Sequence, residues 1–345
     1  MHIVLDGNTA FEYWMCATQR DETMLVHATN PPLSSFDQTW SSKISEGIRN
    51  QGGSTGGIEI LVGSKDERRY SDFVSCGMWS ARTPIPPDSL YMVGPGIYVE
   101  SPELCLLRLA SMLERPVFLR ALSDMLGVFG FSYLDRMELV SREPLTTISK
   151  IQKFVEHIGG AYGVNKLRSA LSWVIERSGS PRETSMNLCM SMPSRLGGQQ
   201  LPRFEANYHY DLTDEAKLLT RRNFLVGDAS WPEKDIEMEY NSNKHHDTEE
   251  ELEMDFEKIT ALESMGVTVI PVSTRQFNSY DAFSAIMSTV RERLGMSTAV
   301  SEAVDARRRT MHERLLRIER SQRELPSLGE TARWQYLAPR LDSWE

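Results

Sequence analysis

Acidic residues recur between positions 224 and 258 at spacings that suit metal-assisted hydrolysis. Residues 224–228 form a short apolar run that ends in the carboxylate of Asp228. Residues 236–240 alternate apolar and polar, which predicts a strand with Glu237, Glu239 and Asn241 on one side. Carboxylate oxygens are the ligands that Mg²⁺ prefers, and a bound Mg²⁺ activates water and polarises a phosphate. Hydrolysis of a phosphate ester is therefore the chemistry that these residues could perform.

A helix and a second strand are predicted to follow, and the helix carries a further acidic residue and a lysine. Thr248 is a suitable helix cap, and Asp255 and Lys258 lie three residues apart in the helix that follows. Apolar residues recur there at steps of three and four and predict one buried face, formed by Leu252, Phe256, Ile259 and Leu262. Asp255 is expected beside that face. Residues 267–273 then predict a buried strand, and Pro271 indicates that this strand either lies at a sheet edge or ends early.

The order of these residues resembles the PD-(D/E)XK nucleases, and among them the endonuclease-like domains of the very-short-patch-repair type. The resemblance covers roughly residues 178–295. It implies a restriction-endonuclease-like α/β domain, a mixed sheet flanked by helices, that hydrolyses phosphodiester bonds of DNA with Mg²⁺ or Mn²⁺. The positions that match the family's site are Glu183, Asp228, Glu239, Asn241, His246, Asp255 and Lys258.

The resemblance also implies a role for each matching residue. The implied metal ligands are Glu183, Asp228 and Glu239. His246 would act as a base near neutral pH, and Asp255 would orient His246 or pair with Lys258. Asn241 departs from the family, which usually has Asp there, or Lys in the wider superfamily.

Several of these residues also have a purely structural interpretation. Glu183 lies in the first turn of a helix predicted to begin at Ser180 and end near Met192, where a carboxylate interacts favourably with the helix dipole. Asp255 and Lys258 have the spacing of an ion pair on one helix. The sequence leaves both interpretations open for these residues.

Residues 58–140 predict a small α+β unit, in which short strands broken by prolines and glycines precede a capped helix. These strands, the Ser101-Pro102-Glu103 helix start and the Leu-rich helix resemble the middle region of AbiEi-type abortive-infection antitoxins. Such proteins neutralise a partner nucleotidyltransferase toxin and can repress their own operon. This likeness implies a partner toxin or defence protein. It also implies an alternative function, in which a degenerate nuclease fold serves a non-catalytic antitoxin or transcriptional regulator as a binding scaffold.

Basic residues are concentrated in a long helix that is predicted at about 298–324. They could bind a phosphate backbone or the acidic surface of a partner. The predicted nucleic-acid contacts are Lys244, Arg307, Arg308, Arg309 and Arg314. Acidic residues are interleaved with these arginines, so pairing within the helix is the alternative.

The whole chain has 345 residues and a formal net charge of −10, which argues against tight non-specific DNA binding. Its four cysteines form no Cys-x-x-Cys pair, and no apolar run is long enough to span a bilayer, so we expect a cytoplasmic protein without a membrane partner. The oligomeric state stays open. Four regions are predicted: an α+β domain at 1–140, a helical hairpin at 141–178, the nuclease-like domain at 179–295 and a helical extension at 296–345. We interpret the chain as a metal-dependent DNA endonuclease in phage defence or DNA repair.

Overall fold

A computed structural model of the protein describes residues 2–16, 33–34, 58–68, 74–79, 84–94, 96–131, 138–241 and 249–323. Its contacts divide the chain into two compact units. The N-terminal unit comprises Met1–Ser172 with Ser321–Glu345, and the C-terminal unit comprises Trp173–Arg320. Each unit is a mixture of helices and mixed sheets, which confirms the predicted α/β character at this level.

The sheet of the N-terminal unit has five strands in the order β3-β2-β1-β5-β4. They are β1 (Ile3–Leu5), β2 (Ile58–Val62), β3 (Val74–Met78), β4 (Leu90–Gly94) and β5 (Ile97–Glu100). The central β1 runs parallel to β5 and antiparallel to β2. The carboxyl ends of β1 and β5 therefore meet at the same edge, with Leu5 opposite Val99.

Two helices, α1 (Gly7–Cys16) and α2 (Pro102–Met112), pack against this sheet, and the remaining helices and a small hairpin pack against these two helices. The remaining elements are α3 (Arg115–Met125), β6 (Phe129–Phe131), β7 (Leu139–Ser141), α4 (Ile148–His157) and α5 (Val164–Ala170). The predicted cap of α2 is confirmed, because Ser101 Oγ accepts a hydrogen bond from the Leu104 amide at 3.2 Å. Leu104 and Leu107 of α2 are buried in the core, as their spacing predicts.

A buried polar cluster lies where β1 and β5 end. Arg108 of α2 donates two hydrogen bonds of 2.7 Å to the two oxygens of Asp6, the residue after β1. Glu100 ends β5, is fully buried and accepts a hydrogen bond from the Gly7 amide at 3.1 Å. Burial and the charge of Asp6 raise the pKa of Glu100 well above its ordinary value. The cluster joins residues about a hundred positions apart and fixes α1 and α2 to the sheet edge.

The C-terminal unit has a three-stranded sheet in the order β10-β11-β12 and a separate two-stranded ladder. Its strands are β8 (Tyr208–Asp211), β9 (Phe224–Gly227), β10 (Ala229–Trp231), β11 (Ile236–Asn241) and β12 (Thr268–Ser273). The ladder pairs β8 with β9, and β10 pairs antiparallel with β11. β12 runs parallel to β11 at the edge of the three-stranded sheet, which agrees with the position of Pro271.

Five α-helices lie wholly or mostly in the described part of the C-terminal unit: α6 (Pro181–Ser191), α7 (Glu249–Ser264), α8 (Thr274–Asn278), α9 (Tyr280–Arg293) and α10 (Glu302–Arg323). α7 connects the parallel strands β11 and β12, as a parallel pair requires. Ser180 caps α6 by accepting a hydrogen bond from the Glu183 amide at 3.2 Å. The helix end predicted near Met192 is confirmed to within one residue.

Two sequence predictions about these helices need correction. The buried stripe of α7 is wrong in its first half, because Leu252 and Phe256 are 48% and 70% exposed, whereas Leu262 is fully buried. The apolar cluster that α7 meets contains Tyr210, Leu225 and Val267, and it contacts only the second half of the helix. The last helix begins at Glu302 rather than near residue 298. None of the helices in the described ranges is long and apolar enough to cross a membrane.

Candidate functional site

The antiparallel pair β10–β11 brings two of the predicted acids face to face. The ladder ends with Ala229 opposite Met238, and Asp228 and Glu239 are the next residues on the two strands beyond that pair. Asp228 Oδ2 accepts a hydrogen bond of 2.7 Å from the Tyr240 amide, which fixes its carboxylate against β11. Side chains opposite each other on such a pair are about 5 Å apart at Cβ. Asp228 and Glu239 therefore form a pair of carboxylates on one face of the sheet.

Lys258 of α7 reaches this pair from the side. Its Nζ donates to Glu239 Oε2, and both side chains are largely buried, at 18% and 6% exposed. Burial lowers the pKa of Lys258, but the charges of Glu239 and Asp228 outweigh it, so the pKa stays above its ordinary value. The ammonium group is thus held charged between two carboxylates.

The pKa values of both acids are raised as well, which for a carboxyl group favours the neutral form. Burial, followed by the charge of Asp228, raises the pKa of Glu239 well above its ordinary value. Burial also raises the pKa of Asp228, although Lys258 and the Tyr240 amide oppose the shift. One ammonium group does not compensate both carboxylates, so the site favours a second cation or a proton.

Glu237, two residues before Glu239 on the same face of β11, is a buried acid that the sequence analysis did not assign to the site. It is fully buried, and it accepts hydrogen bonds from the Ala229 amide and the Tyr210 hydroxyl at 3.0 Å each, and from the Ser230 hydroxyl. Burial raises its pKa to about 7. The alternation of residues 236–240 did place Glu237 beside Glu239, but a face with two glutamates is usually exposed to solvent.

Glu183 lies at the beginning of α6 and serves the helix cap. Its Oε2 accepts from the Gly179 amide at 2.7 Å and its Oε1 from the Ser180 hydroxyl at 2.8 Å. Burial, followed by the charge of Asp228, raises the pKa of Glu183 to about 7. Glu183 therefore has a structural role at the start of α6, and its carboxyl group also interacts electrostatically with Asp228.

The other predicted site residues are placed less centrally. Asn241 is the half-buried last residue of β11, opposite Ser273 of β12. Asp255 is exposed rather than beside a buried face, although its charge still raises the pKa of Asp228. His246 and Lys244 lie outside the described residues.

The carboxylate oxygens at this site determine whether a metal ion fits there. Among the described residues, no three histidine, cysteine, aspartate or glutamate side chains are arranged to hold a metal ion. Within the same part of the chain, however, Glu239 Oε1 is buried and accepts no hydrogen bond. An unsatisfied buried carboxylate oxygen is costly, and Asp228 supplies a second hard oxygen donor beside it. Asp228 and Glu239 therefore fit as two ligands of Mg²⁺ or Mn²⁺, whereas both oxygens of Glu183 are engaged in the cap.

The predicted nucleic-acid contacts on α10 differ in orientation. Arg308 is 6% exposed and donates to the carbonyl of Gly198 at 3.3 Å, so its prediction as a surface contact is wrong. Arg309 pairs with Asp281 at 2.6 Å and stacks on a tyrosine ring. Arg307 and Arg314 are exposed and line a cleft together with Arg195, which the sequence analysis did not select. Arg195 lies on a turn more than a hundred residues before α10, so spacing along the chain does not reveal it.

Comparisons with protein-family models, with curated proteins and with solved structures give no match to this chain. The function of the site is therefore inferred from its own residues.

Proposed function

We propose that this chain is a metal-dependent endonuclease that hydrolyses phosphodiester bonds of DNA. The observation that carries the proposal is the buried group of Asp228, Glu239 and Lys258, in which one oxygen of Glu239 is left without a hydrogen-bond partner among the described residues. Strongly perturbed carboxylates gathered around a lysine are typical of catalytic sites. The connection of β11 to the parallel β12 through α7 also supports a nuclease-like arrangement.

In this proposal the chain's own residues hold and balance charge. Asp228 and Glu239 would bind Mg²⁺ or Mn²⁺, which when bound lowers the pKa of a water ligand and polarises the scissile phosphate. Lys258, fixed by Glu239, would place its ammonium group beside the phosphate oxygens. Glu183, whose oxygens hold the cap of α6, would act on the site through its electrostatic interaction with Asp228. Asn241 contributes no charge at the position where the resembling family has Asp or Lys.

A second candidate is a non-catalytic regulator of the antitoxin type, which uses the same fold to bind a partner. Two observations favour it: Lys258 already neutralises Glu239, and the described residues contain no assembled group of three metal ligands. In that case the site would be a buried ion pair that maintains the fold.

Cleavage of DNA tests the proposal. Supercoiled and linear DNA would be incubated with the full chain and Mg²⁺ or Mn²⁺, beside Glu239→Gln and the matched control Glu233→Gln, which removes the same charge from an exposed turn. We expect metal-dependent cleavage whose rate falls more than about 100-fold in Glu239→Gln. Removal of a residue that only orients a metal ligand already lowers activity by about 10–100-fold, and Glu239 is proposed as a ligand itself. The control should cleave like the wild type.

Cleavage that survives in Glu239→Gln would exclude this site. Absence of any cleavage by the wild type, with both metals and both DNA forms, would favour the regulator.

A further inference from the structure

A basic cleft lies between α10 and the turn that follows α6, within the C-terminal unit. Its volume is about 300 Å³, and its lining includes three arginines, Arg195, Arg307 and Arg314. Thr310 and Met311 also contribute to its wall. The described residues that line it include no carboxylate, so the cleft concentrates positive charge on a chain whose net charge is −10.

The pattern of α10 explains why two of these arginines face the cleft. His312, Leu315 and Glu319 are buried and form the opposite, inward face of the helix. Arg307 and Arg314 are exposed and seven residues apart, which is two helical turns and about 10 Å along the axis. Both side chains therefore project from the same outer face, with the cleft between them.

The turn after α6 is fixed close to α10 by glycine. Gly197 has φ = +89°, and a Cβ there would lie 2.5 Å from the carbonyl oxygen of Arg307. The guanidinium of Arg308, which points inward, donates a hydrogen bond to the carbonyl of Gly198. This close approach brings Arg195, two residues earlier, to the outer face of α10.

Arg195 is also held in place before any ligand arrives. Its guanidinium lies 5.3 Å from the centre of the Trp173 ring, a cation–π contact that restricts its rotamers. Thr310 Oγ1 donates to the Ala306 carbonyl, so its hydroxyl hydrogen is not available to a ligand in the cleft. Planar guanidinium groups bind phosphate oxygens in pairs of hydrogen bonds, and a preorganised arginine loses less entropy in doing so.

We infer that Arg195, Arg307 and Arg314 bind a backbone phosphate of a polynucleotide, an inference that rests on the proposed function. α6 connects the two sites: Glu183 is in its first turn and Arg195 follows its end. At about 1.5 Å per helical residue the cleft is on the order of 15 Å from Glu183. At about 3.4 Å per base step this corresponds to about four steps of a duplex. The cleft thus anchors the strand at a distance from the bond to be cut, which favours a polynucleotide over an acidic protein.

Binding measured without cleavage separates this inference from the proposed function. A short fluorescein-labelled DNA duplex would be titrated with the full chain in EDTA, by fluorescence anisotropy, between about 50 and 200 mM salt. The variants are Arg195→Gln/Arg307→Gln and the single control Arg317→Gln, which removes an exposed charge from α10 outside the cleft. All three positions are exposed, so the fold should be kept.

We expect the double variant to bind about tenfold more weakly or worse, because hydrogen bonds to charged groups are strong. The dependence of log K on log salt should become less steep by about 1 to 2, while Arg317→Gln changes the affinity by less than about threefold. Unlabelled polyglutamate should compete far less well than unlabelled duplex.

Equal binding by the double variant and the wild type would overturn the inference. Competition by polyglutamate as strong as that by duplex would also overturn it and assign an acidic protein surface instead. Arginine-dependent binding without any metal-dependent cleavage would keep the cleft and refute the nuclease. Metal-dependent cleavage by the wild type, together with unchanged DNA binding by the double variant, would support the nuclease and refute the cleft as a phosphate site.

Discussion

At the scale of single residues, the Lys258–Glu239 pair is the feature that most needs explaining. Removing two charges from water costs more than their attraction returns unless further hydrogen bonds satisfy them. Here Glu239 Oε1 has no such bond among the described residues. The ion pair therefore contributes little to the stability of the fold, and this favours a role in binding or catalysis.

Replacing the pair by methionines tests that view. Lys258→Met alone leaves a buried carboxylate uncompensated and should lower the free energy of unfolding by about 3–5 kcal/mol. Lys258→Met/Glu239→Met should restore most of that loss, because two apolar chains of similar size pack without desolvated charge. Urea unfolding of the full chain measures both. A double variant as unstable as the single one would show that the ion pair itself maintains the fold.

Glu100 of the N-terminal unit leads to a prediction about pH. It packs against Asp6, Arg108 and Glu59, and its pKa is raised above the ordinary value of 4.5 by burial and by Asp6. Above about pH 4.5 the folded state therefore holds a proton that the unfolded state has lost. The stabilisation is complete at low pH and disappears as pH rises through the folded-state pKa.

The free energy of unfolding should thus fall as the pH rises above the ordinary carboxyl pKa of 4.5, and Glu100→Gln should flatten this fall. Urea titrations at several pH values would measure it, with Glu138→Gln at an exposed position as the control. A pH dependence that is unchanged in Glu100→Gln would contradict the raised pKa.

At the scale of elements, α7 places Lys258, and the second half of this helix supplies its residues of the apolar cluster. Ala261 and Leu262 enter the apolar cluster, while Leu252 remains 48% exposed. Lys258 lies close to the anchored end, which explains how the helix can position it accurately.

A matched pair of substitutions tests this division of α7. Leu262→Ala should lower the free energy of unfolding by about 2–5 kcal/mol, since it leaves a cavity in the core. Leu252→Ala should cost less than about 1 kcal/mol because the site is half exposed. The two variants differ only in position, so their urea unfolding curves compare directly. Equal losses would mean that the first half of α7 is also covered.

At the scale of the whole molecule, the sequence predicts local elements well and long-range neighbours poorly. The strand at Ile236–Asn241 and the caps at Ser101 and Ser180 follow from periodicity and capping chemistry that act within a few residues. Arg108 and Asp6 are about a hundred residues apart in the sequence, and no local pattern predicts their contact. The buried half of α7 depends in the same way on strands that are distant in sequence.

The candidate site shows the same limit. The order of Asp228 and Glu239 along the chain could be recognised, but their burial and the ion pair of Glu239 with Lys258 depend on tertiary packing. Among the arginines of α10, charge alone does not distinguish the inward Arg308 from the outward Arg307. Arg195 joins Arg307 only because a glycine turn lies against the helix.

Binding of Mn²⁺ tests the central claim most directly, because it probes the site without assuming a substrate. Isothermal titration of the full chain should detect one Mn²⁺ site that is lost in Asp228→Asn. Asp235→Asn is the matched control, an exposed turn residue at φ = +50°, a conformation that asparagine tolerates. Loss of binding in Asp228→Asn alone is the predicted result. No Mn²⁺ binding by the wild type, or equal binding by Asp228→Asn, would contradict a metal site at Asp228 and Glu239.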